Sequence, residues 1–211
     1  MTQAPMFSVL IATYNRSALL TRALESLLRQ TEKEWEGIIV DDGSTDDTHE
    51  KILPLLQAYP QLKYLLKPHR GVVAAKNHAI KSSSGKYITF LDSDDEYHPS
   101  HLRSRKEFLI QNPDIRFLYG GLKILGDQYV PDVYNPSTKI HLNDCVVGGT
   151  FFIERETLLS LDGFSDMLLG SDHDLFQRAR KKKIKMARID EATYIYHHEN
   201  TDSITNRIKC S

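Results

Sequence analysis

Short apolar runs rich in β-branched residues alternate, through the first hundred residues, with stretches whose apolar positions fall three and four apart, and this alternation constrains the fold more than any other feature of the chain. It is the pattern of β-α-β units built around a mainly parallel sheet. Residues 7–12 (FSVLIA) read as the first strand. Leu19, Leu20, Ala23, Leu24, Leu27 and Leu28 then give a helix one apolar face, with Asn15 or Ser17 as its cap. Residues 37–40 (GIIV) form a second strand that ends at Asp41 and Asp42. Ser44 and Thr45 are the expected caps of the next helix, with Asp46 and Asp47 at its positive end, and Pro54 is expected to kink or end it. Residues 62–66 and 87–91 read as further strands, separated by a helix over 72–82 that stops near Gly85.

The second half is less regular. Residues 99–111 read as a helix, 115–125 as a strand, and 126–143 as a long connection rich in turn formers. Strand character resumes over 146–153, followed by a short helix over 156–161 and a stronger one from Asp172 to about Lys182. With 211 residues and no linker long enough to divide it, the chain reads as one domain.

Composition narrows the partners. A formal net charge of -1 gives no global basic field, which argues against nucleic acid and leaves charged ligands to local recognition. Cys145 and Cys210 are far apart in sequence and form no C-x-x-C pair, which speaks against a disulfide framework, a structural zinc site or a redox motif. The apolar run at 7–12 is too short for a signal-peptide core or a spanning helix, so the sequence reads as cytoplasmic.

Two groups of acids directly follow apolar strands: Asp41-Asp42, and Asp92-Ser93-Asp94-Asp95. In an open α/β sheet, ligands bind beyond the carboxyl ends of the strands, so these acids are expected in the binding crevice. Asp and Ser also favour turns and caps on their own account. Asp92-Ser93-Asp94 offers closely spaced oxygen ligands of the kind that, together with phosphate oxygens and water, hold Mg or Mn. Such an ion would offset charge growing on a departing diphosphate. Neither G-x-G-x-x-G nor a P-loop is present to explain phosphate binding instead.

Together with the segments at 8–16 (SVLIATYNR), 40–47 (VDDGSTDD), 71–85 with Lys76-Asn77, 87–95, Gly163-Phe164 and 171–175 (SDHDL), these motifs resemble a family 2 glycosyltransferase with the GT-A fold. The resemblance implies an α/β architecture with a Rossmann-like, mostly parallel central sheet flanked by helices. It implies a donor-binding half over about 1–97 and an acceptor-binding half over about 98–211. It implies an inverting enzyme that transfers a sugar from a nucleoside-diphosphate sugar, commonly UDP-linked, to a glycan or lipid-linked acceptor. Thr13, Tyr14 and Arg16 would line the nucleotide pocket, Asp42 would accept a hydrogen bond from the base with Asp41 in support, and Lys76 would contact the diphosphate. Asp92 and Ser93 would hold the ribose or the metal shell. Asp94 would ligate Mg or Mn, with Asp95 as a further candidate and His198, rather than His197, reaching over it.

Inverting transfer needs a base for the acceptor hydroxyl. By the same resemblance this is Asp172, in a Ser171-Asp172 pair where the family usually has two acids; Asp174 could help orient the acceptor. Asp172 also precedes a helical pattern, so capping and a low pKa are expected of it. The basic run at 178–183 reads as a solvated helix end, with contact to anionic lipid as the minority alternative and peripheral membrane association as its consequence. Oligomeric state is left open. A non-catalytic sugar-nucleotide-binding module and a nucleotidyltransferase acting on sugar phosphates are the rival readings.

Overall fold

The computed structural model describes residues 4–199 except 133, 134, 136, 168 and 169; Cys210 thus lies outside the described residues. The opening units form as the alternation predicts: β1 (Phe7–Thr13), α1 (Ser17–Leu28), β2 (Trp35–Asp41), α2 (Thr48–Ala58), β3 (Leu62–Leu66), α3 (Val72–Ser82) and β4 (Tyr87–Phe90). The expected caps differ. The N-cap of α1 is Arg16 and that of α2 is Asp47, while the Asp46 carboxylate accepts from Thr48 N–H at 3.1 Å. Pro54 lies inside α2, which continues to Ala58.

After β4 the chain makes β5 (Glu96–Tyr97), α4 (His101–Gln111), β6 (Phe117–Tyr119) and β7 (Leu122–Gly126). The single strand expected over 115–125 is therefore two strands in different sheets. Gly120 and Gly121, at φ of 97° and 80°, break it, because a side chain at either position would strain the backbone. The connection over 126–143 contains an antiparallel hairpin, β8 (Tyr129–Pro131) with β9 (Lys139–His141). Strand character at 146–153 reduces to a 3-10 turn over Gly148–Thr150 and β10 (Phe152–Glu154). Then come α5 (Arg155–Ser160), α6 (Ser171–Lys181), β11 (Met186–Arg188) and β12 (Tyr194–His198).

The main sheet has seven strands in the order β11-β6-β10-β4-β1-β2-β3. Its pairs are parallel except those made by β10. β1 shows why this sheet buries both faces: Phe7, Val9 and Ile11 pack with Leu20, Leu24 and Leu102 of α1 and α4, while Leu10 packs with Val73, Ala79 and Leu175 of α3 and α6. Chain order reverses between β1 and β4, so their carboxyl ends open a crevice at the switch point of the sheet. A second sheet, β5-β12-β7, stands beside that crevice.

A buried cation joins the two sheets. Arg105 on α4 is fully buried; it donates to Gly120 O at 3.2 Å, to Glu191 O at 3.0 Å, and to the hydroxyl of Thr193. Burial pulls its guanidinium down to about 10, against the opposing field of Glu191, so it stays charged at neutral pH.

Near the amino end of β2, Glu36 accepts from the Ser8 hydroxyl at 2.6 Å, from Ser84 N–H at 2.6 Å and from Lys63 Nζ at 2.7 Å. Burial alone would raise its pKa, but Lys63, Ser8 and Ser84 outweigh burial and lower it to about 2. A depressed carboxylate stabilises the fold above its unfolded pKa and ceases to do so as pH falls through the folded value. Glu36→Gln is therefore expected to cost about 2–3 kcal/mol at pH 7 and progressively less from about pH 4.5 to 2, in urea melts over a pH series. A loss independent of pH would contradict this role.

Candidate active site

The crevice holds a cavity of about 440 Å³. Arg16, Lys76, Asp92, Ser93, Asp94 and Asp95 line it from the first half of the chain, and Asp172, His173 and His197 from the second. A further wall is apolar, with Val130, Pro131, Ile140, Leu142, Val146 and Val147 from the hairpin and the segment after it.

The loop after β4 is organised around Asp95. Its buried carboxylate accepts from Tyr194 OH at 2.7 Å and from His197 N–H at 2.8 Å, which fixes the loop against β12. Burial, then Asp94 and Asp92, push Asp95 well above the usual carboxylate range. Asp95 thus acts as the loop's anchor, and Asp92 and Asp94 carry its outward charge. Lys76 Nζ sits 2.9 Å from Asp92 Oδ1, and Arg16 Nη1 sits 3.0 Å from Asp94 Oδ2. Burial pulls the Lys76 ammonium down, but Asp92, Asp172 and Asp94 together hold it above its ordinary value. Asp94 is raised by burial and then by Asp92, with Arg16 opposing.

Asp172 faces this cluster from the first turn of α6, whose N-cap is Gly170 in the left-handed region at φ 77°. Its Oδ2 accepts from Gly148 N–H at 2.8 Å. A Cβ on Gly148 would lie 2.6 Å from that carboxylate, and one on Gly149 would lie 2.2 Å from the Tyr194 ring. The glycine pair is thus what lets Asp172 and Tyr194 approach. Contrary to the low pKa expected of a capping acid, Asp172 is raised: burial outweighs the field of Lys76, and Asp92 adds to it. The turn over Gly148–Thr150 packs against the carboxylate and leaves it half-buried, where a surface cap would be fully hydrated.

Several expected residues lie elsewhere. Asp42 is buried and occupied: Lys67 Nζ and Arg70 N–H reach Oδ1, while Gly71 N–H at 2.7 Å and His69 Nδ1 at 2.8 Å reach Oδ2. The loop after β3 thus folds onto a carboxylate that accepts from Lys67, Arg70 and Gly71, while His69 Nδ1 also lies 3.0 Å from the Asp42 main-chain oxygen. Asp41 accepts from Tyr64 OH at 2.5 Å and Ser44 N–H at 2.7 Å, a structural role. Thr13 and Tyr14 do not line the cavity; the Tyr14 ring stacks on His69 at 4.1 Å, and the buried Thr13 hydroxyl has no partner among the described residues. Asp174 is held by Ser165 at 2.6 Å and Arg178 at 2.8 Å and does not line the cavity. His198 is buried with Nδ1 2.5 Å from Asp127 O, outside the lining; His197 lines the cavity instead, between Glu96 at 2.9 Å and Glu199 at 3.1 Å. Tyr194, Gly148 and Arg22, whose Nη2 donates to Asp94 O at 2.5 Å, escaped the reading of the sequence; only the Gly148-Gly149 pair left a visible trace.

For a metal, the donor set is informative. Among the described residues no three His, Cys, Asp or Glu groups converge to hold an ion by themselves. Asp92 and Asp94 have the chemistry to hold a hard divalent cation that takes its remaining ligands from phosphate and water, in place of the Lys76 and Arg16 side chains that now pair with them.

The family model for glycosyl transferase family 2 matches residues 8–129, more than half of the chain. The chain belongs to that family. It is 29% identical over 160 residues to the UDP-Glc:alpha-D-GlcNAc-diphosphoundecaprenol beta-1,3-glucosyltransferase WfgD of Escherichia coli, covering 74% of this chain and 62% of the relative. It is 41% identical over 105 residues to an uncharacterized glycosyltransferase of Rickettsia felis, covering 50% of this chain and 17% of that protein. Among solved structures, the mannosyltransferase PcManGT of Pyrobaculum calidifontis, in complex with GDP-Man and Mn2+, superimposes with a TM-score of 0.74 at 20% identity over 92% of this chain and 57% of its own. The family 2 chain therefore has the GT-A type α/β fold. It spans less than two thirds of the length of each of these proteins. No helix among the described residues is long and apolar enough to cross a membrane.

Proposed function

We propose that this family 2 chain is an inverting glycosyltransferase that moves a sugar from a nucleoside-diphosphate sugar, UDP-linked, to a hydroxyl of a glycan or lipid-linked acceptor. The observation that carries this reading is the meeting of Asp172 with Asp92, Asp94 and Lys76 around one cavity at the switch point of the sheet. The names of two related proteins support the classes of donor and acceptor, since one uses UDP-glucose on an undecaprenol-linked sugar and the other is bound to GDP-mannose and Mn2+. The first half of the chain, to about residue 97, would hold the donor, and the remainder would hold the acceptor and supply the base.

In this reading Asp172, ionised, accepts the proton of the acceptor hydroxyl as that oxygen bonds to the anomeric carbon. The bond from that carbon to the diphosphate oxygen breaks on the opposite face, and nucleoside diphosphate departs with the electron pair. A raised pKa makes Asp172 a stronger proton acceptor than an exposed carboxylate. Lys76 and Arg16 offer positive charge where the diphosphate gains negative charge. Asp94, with Asp92, would hold Mg or Mn, whose charge offsets that of the leaving group. A lipid-linked acceptor would bring the chain to the cytoplasmic face of a membrane as a peripheral protein.

The test is incubation with UDP- and GDP-sugars, Mn2+ and a panel of glycan and lipid-linked acceptors, followed by identification of the released nucleotide. Nucleoside diphosphate released only in the presence of an acceptor is the expected result. Binding without release would leave a sugar-nucleotide-binding module, and pyrophosphate would identify a nucleotidyltransferase.

A further inference from the structure

Behind the apolar wall of the main cavity lies a second pocket, of about 170 Å³. The two share Leu142, Cys145 and Val147, so the segment that carries these residues has one side on each. The turn over Gly148–Thr150 links them again: Gly148 N–H holds the Asp172 carboxylate at 2.8 Å, while Thr150, two residues on, lines the second pocket. Their Cα atoms are at most about 8 Å apart, a distance that one further sugar unit of an acceptor can span. The lining selects what the pocket can hold. Among the described residues its only charged side chains are Arg188 and Asp190, which pair at 3.1 Å, so its charge is balanced. A phosphate would meet Asp190 and a cation would meet Arg188, whereas a neutral ligand meets neither repulsion. The Tyr119 hydroxyl and the Asn143 side-chain amide also line it and have no hydrogen-bond partner among the described residues. Each can both donate and accept, as sugar hydroxyls do. Phe176 of α6, 5.0 Å from the Tyr119 ring and edge-on to it, fixes that ring, so it offers a preset apolar surface to the C–H groups of a ligand.

We infer that this pocket is a second acceptor subsite: it seats a neutral sugar unit adjoining the one whose hydroxyl faces Asp172, so the preferred acceptor carries at least two sugars. The inference rests on the glycosyl-transfer reading above and deepens it, because that reading leaves the length of the acceptor open. Tyr119 and Asn143 are the residues that would hold the second sugar by hydrogen bonds, with the Arg188–Asp190 pair beside them. An acceptor whose single sugar is joined straight to diphosphate would bring its charge against Asp190, with Arg188 already paired.

Acceptor kinetics on the full chain test it, with octyl glycosides of glucose, galactose, N-acetylglucosamine and N-acetylgalactosamine set against disaccharides that end in the same sugars. In wild type, kcat/KM for the best disaccharide should exceed that of its own terminal monosaccharide by about tenfold, the worth of two added hydrogen bonds. In the double variant Tyr119→Phe with Asn143→Ala, that ratio should fall to within about twofold of one. A defect of folding alone would lower both acceptors together and leave the ratio in place. A wild-type ratio near one for every pair, or a wild-type ratio kept by the folded double variant, would overturn the subsite while leaving the transferase intact. A monosaccharide joined through diphosphate to a short prenyl chain, if it matched the disaccharide and lost that advantage in the double variant, would assign the pocket to phosphate and overturn the sugar. Release of nucleoside diphosphate with none of the acceptors would overturn the transferase reading itself. Ligand-observed NMR of the same glycans with UDP and Mn2+ present then decides the pocket: disaccharides bound more tightly than monosaccharides by wild type, and not by the double variant, is the expected result, and equal binding overturns it.

Discussion

Asp172→Asn is expected to lower turnover by roughly a hundred- to ten-thousand-fold, the contribution of one positioned general base, while the melting temperature stays close to wild type. The substitution keeps volume and an oxygen that can accept from Gly148 N–H, which in the native chain lies 2.8 Å from the carboxylate. What it removes is the capacity to take a proton. Single-turnover kinetics, with whichever acceptor of the panel supports release of nucleoside diphosphate, separate this loss from any change in binding. Turnover retained within a few-fold would mean that another group accepts the proton, and His173, which lines the same cavity, would be the first to examine.

The second large effect is on stability. Arg105→Ala should cost about 3–5 kcal/mol, because it opens a cavity and strips hydrogen bonds from two carbonyl oxygens and a buried hydroxyl at once. A loss of that size is a large share of the about 5–15 kcal/mol that separates a folded domain from its unfolded chain. Arg105→Met should cost less, since it refills the volume and buries no charge. Chemical denaturation of both variants checks the order, and an alanine variant as stable as the methionine variant would contradict it. The effect is also expected to reach the site, because Thr193, which Arg105 holds, precedes Tyr194 and so helps to set where Asp95 is anchored.

The donor side was the more legible part of this molecule. Helix α3 matches its expected bounds, and β1 and β4 come within a residue or so, because each is a short apolar run or a period-3.6 run flanked by turn formers. Asp92, Asp94, Arg16, Lys76 and Asp172 converge on one cavity although they come from distant stretches of chain. Errors arose where tertiary contacts, invisible in local sequence, decide a side chain's fate. Asp42 looks like a free carboxylate, whereas the loop after β3 supplies three donors to it, Lys67, Arg70 and Gly71. His197 and His198 are neighbours whose roles depend on strand register, and Asp127, outside β12, claims the second of them. Asp172 looks like a surface cap with a low pKa, yet a glycine turn folding over it reverses the direction. The strand expected over 115–125 misses its break because apolar residues continue on both sides of Gly120-Gly121, and only the positive φ values reveal the turn. The apolar wall at 130–147 was opaque for a related reason: its strands are three residues long, too short for a period to show.

The claim on which the account depends is a division of labour in one cavity, with Asp94 holding the donor and Asp172 performing the proton transfer. Calorimetric titration of a nucleoside-diphosphate sugar with Mn2+ into Asp94→Asn and Asp172→Asn tests it most directly. The account predicts donor binding weakened by about tenfold or more in Asp94→Asn, as expected for loss of one charged partner, and unchanged within error in Asp172→Asn. Wild-type affinity in a folded Asp94→Asn protein would contradict it.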